Sequence, residues 1–254
     1  MSLITRGGET VEKVNVDNIL FDNITLDEAV AFSKQSLMEK RQITVYTPNP
    51  EMCELCHNNP SLLEVYNSAD LTLPDGIGII KAANLLGTPL KEKVAGVDYA
   101  FRLMELCETI GKKVFIFGGR EGVAEKAKNN LVSKHPNLNI CGVRNGYIQN
   151  SEENEELIRS INDSKADVVL VCIGFPKQEK WIFDNKGKLP DVKLFAGLGG
   201  SVDIFAGTAK RAPKLFINMH LEWFYRLLKN PSRFKRMTAL PKFMKRIKKQ
   251  AKSR

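Results

Sequence analysis

Val168-Val169-Leu170-Val171-Cys172-Ile173, closed by Gly174-Phe175-Pro176, decides how this chain folds. Six consecutive apolar residues read as a strand covered on both faces, which is the environment of a central strand in a parallel sheet. The same form recurs outward from it. Lys113-Val114-Phe115-Ile116-Phe117 runs into Gly118-Gly119-Arg120, and Leu194-Phe195-Ala196 runs into Gly197-Leu198-Gly199-Gly200-Ser201-Val202-Asp203. Ile43 to Tyr46 meets the rigid turn Thr47-Pro48-Asn49-Pro50. Ala69 to Leu73 enters Pro74-Asp75-Gly76, and Leu138 to Val143 enters Asn145-Gly146-Tyr147. Helical periodicity fills the intervals: a capping box at Thr25-Leu26-Asp27-Glu28 opens a helix through about Lys40, and others follow from Pro50 and over 77–88, 99–110, 121–135 and 152–164. Residues 11–22 alternate as a strand or hairpin. Strand and helix alternation predicts an α/β fold, a Rossmann-like parallel sheet with helices on both faces.

In such sheets ligands sit at the carboxyl ends of the strands. The turns at Thr47, Asp75, Gly118, Gln178 and Gly199 all fall there. Asp75 lies in Leu73-Pro74-Asp75-Gly76-Ile77-Gly78-Ile79, too apolar a stretch to be a surface charge run. Two readings of it stand: a carboxylate that takes a proton from a hydroxyl, or an Asx turn capping a helix that starts at Gly76. The strand–Gly118-Gly119–helix unit has the local form of a nucleotide site, but it lacks a full G-x-G-x-x-G, so a plain glycine-rich loop is the competing reading.

The five cysteines are odd in number and mostly apolar in setting, which predicts reduced thiols and a cytosolic protein. Cys53-x-x-Cys56 is a lone pair with no second pair and no partner histidine, so no metal site is expected. No signal peptide and no membrane-spanning run is read in the sequence. The charge is uneven: residues 210–254 hold fifteen Lys or Arg against one acid, Glu222, a surplus of +14, so residues 1–209 carry −5 of the chain's +9. We therefore expect a catalytic domain over 1–212 and a basic helical C-terminal appendage over 213–254. Within it, Leu215 to Leu228 recur at helical spacing, a pattern that suits packing on the same domain or on a neighbouring copy as well as it suits a membrane surface. After Asn230-Pro231 a second segment sets Phe234, Met237, Leu240, Phe243, Met244 and Ile247 among lysines and arginines. That pattern suits an anionic membrane surface.

Laid out in order, Thr47-Pro-Asn-Pro-Glu51, Leu73-Pro-Asp-Gly76, Val94-Ala-Gly-Val-Asp98, Phe117-Gly-Gly119, Gly174-Phe-Pro-Lys-Gln-Glu179, Gly197 to Asp203, Lys210-Arg-Ala-Pro213 and Glu222-Trp-Phe-Tyr-Arg226 resemble the WecG/TagA/CpsF family of bacterial glycosyltransferases. The likeness is greatest to the TagA branch. It implies an inverting, metal-independent and cofactor-free transfer of N-acetylmannosamine from its UDP donor to undecaprenyl-diphosphate-linked N-acetylglucosamine, forming a β-1,4 linkage for wall teichoic acid. It further implies Asp75 as general base, with Thr47, Asn49 and Gln178 beside the sugars. Gly118, Gly119, Gly199 and Gly200 would lie against the donor diphosphate, and Tyr147 and Asp203 would hold uracil or ribose. Lys93, Arg226, Arg233 and Arg236 would face diphosphate, Lys93 standing where the family often has arginine. The protein would work on the cytoplasmic face of the membrane. Two alternatives stay open: another UDP-sugar, such as the uronic acid of N-acetylmannosamine or a hexose, or a non-enzymatic nucleotide- or nucleic-acid-binding protein.

Overall fold

A computed structural model describes residues 2–6, 9–219, 221–229 and 238–253. Six parallel strands form the main sheet. In spatial order they are β5 (Leu71–Thr72), β4 (Ile43–Tyr46), β9 (Leu194–Gly197), β8 (Val168–Cys172), β6 (Val114–Gly118) and β7 (Ile140–Arg144). From β4 the chain steps to one edge and from β6 to the other, with β9 and β8 between. The crevice where strand order reverses therefore opens at the ends of β9 and its neighbours.

Alternate side chains of each strand enter different cores, as a pleated strand requires. Val114, Ile116, Val168 and Leu170 face one core. Phe115, Phe117, Val169 and Val171 face the other. The first is covered by α1 (Leu26–Met38), α5 (Gly96–Thr109), α6 (Val123–Lys134) and the short α9 (Ser201–Phe205). The second is covered by α2 (Pro50–His57), α3 (Pro60–Asn67), α4 (Ile77–Leu85), α7 (Ser151–Ser164) and α8 (Lys177–Asn185). The expected α/β architecture is present, capping box included: Thr25 Oγ1 accepts from Glu28 N, and Glu28 accepts from Thr25 N.

The first residues form a small antiparallel sheet of β1 (Ser2–Arg6), β2 (Glu9–Val16) and β3 (Ile19–Asp22). Asp17 and Asn18, at φ 56° and 69°, make the tight turn between β2 and β3 that the strand twist favours. Lys13 and Asp22 face each other across this hairpin as a buried ion pair, and Asp22 Oδ2 also accepts the Thr72 N–H at 2.6 Å. The pair thus ties the hairpin to β5, one residue before the Leu73-Pro74-Asp75 turn.

The C-terminal segments differ from expectation in what covers them. Residues 214–229 are two short helices, α10 (Lys214–Asn218) and α11 (Glu222–Lys229), rather than one. Their large apolar side chains are outside: Leu215, Met219, Trp223, Phe224 and Leu228 are exposed, Leu215 by 66%. The last helix, α12 (Ala239–Lys252), does the opposite. Phe243 and Ile247 are fully buried in the second core, between α2 and α4. Arg246, expected on a basic outer face, instead pairs with Asp17 and with Glu54. Lys242, Lys245, Lys248 and Lys249 remain exposed. An amphipathic pattern fixes which face is apolar but not what covers it.

Among the described residues, no helix is long and apolar enough to cross a membrane, and no three His, Cys, Asp or Glu side chains could hold a metal ion together. Cys53 and Cys56 are free and buried on α2, and burial first, then the nearby Glu179, pushes the Cys56 thiol up to about 12.

Candidate active site

Asp75 sits in the loop between β5 and α4, held by backbone bonds to its neighbours. Leu73 N donates to Tyr46 O at 2.8 Å, Asp75 N to Pro48 O at 3.3 Å, and Val94 N to Pro74 O at 3.0 Å. The loops after β4 and β5 and the loop before α5 are therefore one assembly. Gly76, not Asp75, is the N-cap of α4, and no side chain caps that helix. The capping reading of Asp75 is thereby removed. Its carboxylate is half-buried.

Thr47 and Asn49 stand beside it. Thr47 is buried and its hydroxyl reaches Gly197 O at 3.5 Å, a bond at the outer limit. Asn49 has a structural duty that sequence reading did not give it: its Oδ1 accepts from Glu51 N at 2.9 Å and Met52 N at 3.2 Å, capping α2. That leaves its amide NH2 for a ligand. Gln178 is 1% exposed, and both ends of its amide are used inside the protein. Oε1 accepts the Gly199 N–H at 2.9 Å and Nε2 donates to Glu179 Oε1 at 2.9 Å. It holds the turn after β9 rather than presenting its amide to the crevice.

A second group of turns lies at the ends of β6 to β9. Gly118 is at φ 150°, and a Cβ there would stand 2.4 Å from the Cys172 carbonyl, so only glycine lets β6 end so close to β8. Gly146 N donates to Gly119 O at 2.8 Å, so the backbone leading into the exposed Tyr147 lies by the Gly118-Gly119 turn. Val202 packs on the other side of Gly119. Asp203 lies on α9 near Cys172, and its Oδ1 accepts from Thr208 Oγ1 at 3.2 Å. Gly199 and Gly200 complete this rim.

Of the cations expected to face diphosphate, one is engaged inside the protein. Lys93 Nζ pairs with Glu222 Oε2 at 2.6 Å, both side chains mostly buried, so the lysine joins α11 to the Asp75 assembly. Arg211 pairs with Asp98 at 2.6 Å. Arg226 lies on α11, its side chain outside the described residues, and Arg233 and Arg236 lie wholly outside them.

The Asp75 assembly and the glycine turns thus follow strands of the same parallel sheet, at their carboxyl ends. The model of the Glycosyl transferase WecG/TagA/CpsF family matches residues 14–254. The chain belongs to this family. It is 38% identical over 200 residues to the N-acetylglucosaminyldiphosphoundecaprenol N-acetyl-beta-D-mannosaminyltransferase of Bacillus spizizenii, covering 79% of this chain and 76% of the relative. The enzymes of the same name from Bacillus subtilis and Staphylococcus aureus are 32% and 33% identical over 240 residues, each alignment covering 92% or more of both chains.

Within this WecG/TagA/CpsF chain, Gly96 shows how tightly the site is built. It opens α5, and a Cβ there would lie 2.8 Å from Thr47 Oγ1 and 3.3 Å from its Cβ and Cγ2. Gly96→Ala must displace Thr47, while alanine suits the helix better than glycine. We expect kcat/KM to fall about tenfold or more with Tm nearly unchanged, read by transfer kinetics and thermal melting. Unaltered kinetics would mean that the position of Thr47 is immaterial to catalysis.

Proposed function

We propose that the protein transfers N-acetylmannosamine from a UDP donor to a polyprenyl-diphosphate-linked N-acetylglucosamine, as the first step that commits the lipid carrier to a wall polymer. The observation that supports this reading is Asp75 in a turn at the carboxyl end of the sheet that also carries the Gly118, Gly119, Gly199 and Gly200 turns, in a chain aligned over 92% or more of its length with transferases of that name. Asp75 takes the proton of the acceptor hydroxyl. The freed oxygen attacks the anomeric carbon from the face opposite UDP, the bond to UDP breaks with its electron pair, and the linkage inverts to β. Thr47 and the Asn49 amide NH2 orient the sugars. Tyr147 and Asp203 serve the uridine. Charge on the leaving diphosphate is met by cations rather than by a metal, with Arg226, Arg233 and Arg236 the candidates. Arginine suits this task because its fork binds two phosphate oxygens at once.

The exposed lysines of α12 and the apolar surface of α10 and α11 support a peripheral position on an anionic membrane, where the acceptor's lipid tail resides. The test is to isolate the product made from a short-chain lipid-linked acceptor, with and without EDTA. We expect one added N-acetylhexosamine, a β configuration by the one-bond carbon–proton coupling at the new anomeric centre, and no effect of EDTA. An α product would refute single displacement by Asp75-activated acceptor, and loss of product with EDTA would refute the cation account.

A further inference from the structure

Glu179 is 0% exposed, and among the described residues it makes no ion pair. A carboxyl group in that position is costly unless its oxygens are used. One oxygen is. Oε1 accepts from Gln178 Nε2 at 2.9 Å, and Gln178 Oε1 in turn accepts the Gly199 N–H at 2.9 Å. The order of these bonds matters, because a glutamine amide can be placed either way round. With its NH2 turned toward Gly199, two donors would oppose each other. An acceptor at Glu179 excludes that placement and keeps the carbonyl on the Gly199 amide. The second oxygen, Oε2, and the Tyr66 hydroxyl are both buried and close enough for the hydroxyl to favour the charged carboxyl, though the pair falls outside full hydrogen-bond geometry. Burial raises the Glu179 carboxyl above its ordinary range. A neutral carboxyl still offers a carbonyl oxygen to Gln178, so the chain of bonds survives protonation. The surroundings are packed closely: a Cβ on Gly197 would stand 3.1 Å from Gln178 Nε2 and 3.4 Å from the Tyr46 ring.

We propose that Glu179 is a positioning residue for sugar transfer, acting through Gln178 to hold the Gly197–Gly200 turn in the shape that receives the donor. It rests on the reading of that turn as part of the donor site. Two substitutions separate the acceptor oxygen from bulk and charge. Glu179→Gln keeps an oxygen toward Gln178 and puts an amide NH2 toward the Tyr66 hydroxyl, which can accept it. Glu179→Met keeps the volume and removes the acceptor. The expected result for Glu179→Met is a 10- to 100-fold loss of kcat/KM for the donor, mainly as a raised donor KM, with the acceptor KM unchanged. Glu179→Gln should stay within about threefold of the unaltered protein. Gln178→Met should match Glu179→Met, and the double variant should be no worse than either alone, since residues acting as one unit do not add. Hydrogen–deuterium exchange supplies a readout independent of turnover: the Gly199 amide should exchange at least tenfold faster in Glu179→Met and Gln178→Met but not in Glu179→Gln.

Native kinetics and exchange in Glu179→Met, or losses that multiply in the double variant, would overturn the proposal. If Glu179→Met does not fold, normal Gly199 exchange in Gln178→Met overturns it equally. If the unaltered protein transfers no sugar, the reaction assigned above falls, and the exchange comparison still decides the role of Glu179.

Discussion

Asp75→Asn is expected to lower kcat by about 10³-fold while leaving the affinity for UDP unchanged. The amide has the shape of the carboxylate but cannot take the acceptor proton, and a general base contributes roughly 10²- to 10⁴-fold to a rate. The substitution leaves the loop's backbone bonds in place. Asp75 caps no helix, its loop is held by the backbone bonds to Pro48 and between Pro74 and Val94, and the Gly118 and Gly199 turns belong to other strands. Turnover measured with a lipid-linked acceptor and UDP affinity measured by calorimetry give the two halves of the prediction. Retained turnover would remove Asp75 as the base. Lost UDP binding would place it in the donor site instead.

Phe243→Ala is expected to cost about 3–5 kcal/mol of stability, lowering Tm by roughly 6–20 °C at this chain length. Phe243 lies on the last helix, yet it is fully buried in the second core with Ile247, against α2 and α4. Those two helices begin at Asn49-Pro50 and at Gly76, so the helix that Phe243 anchors braces the loops that carry Thr47, Asn49 and Asp75. Leu240 lies close by: a Cβ on Gly78 would stand 3.0 Å from its Cδ1. Arg246 adds its pairs to Asp17 and Glu54, and Asp17 is itself buried. Cutting the chain after Pro213 would therefore strip a core surface and lose activity for that reason alone. Charge reversal at the exposed Lys248 and Lys249 separates the effects: it should weaken binding to anionic vesicles with Tm nearly unchanged. A Phe243→Ala protein that melts at the native temperature would show that the last helix is not part of the core.

The sheet was legible because burial on both faces leaves a plain mark, and runs such as 113–117 and 168–173 carry it. The carboxyl-end turns were legible for the same reason, since Gly, Pro and Asp close each run. Helix α8 was not, because two of its inward positions are Gln178 and Glu179, and polar residues facing a core break the apolar period that reveals a helix. The duty of Asn49 as an N-cap was hidden behind its place in the Thr47-Pro48-Asn49-Pro50 turn. In the tail, helical spacing leaves residues 215–228 open to either a membrane or a core, and Leu215, Met219, Trp223, Phe224 and Leu228 are exposed; for Phe243 and Ile247 it points to a membrane face, and they are core. Periodicity describes one helix at a time, and only tertiary structure says which partner is near. The same limit hid the ion pair of Lys93 with Glu222, 129 residues apart.

The most direct test of the whole account is acceptor-dependent release of UDP by the purified full-length protein across a panel of UDP-sugars, using a short-chain diphosphate-linked N-acetylglucosamine. The account predicts release from UDP-N-acetylmannosamine only when the acceptor is present. Release from a different UDP-sugar would contradict the assigned donor while keeping the mechanism. No acceptor-dependent release from any donor would contradict the assignment of this crevice as a transferase site.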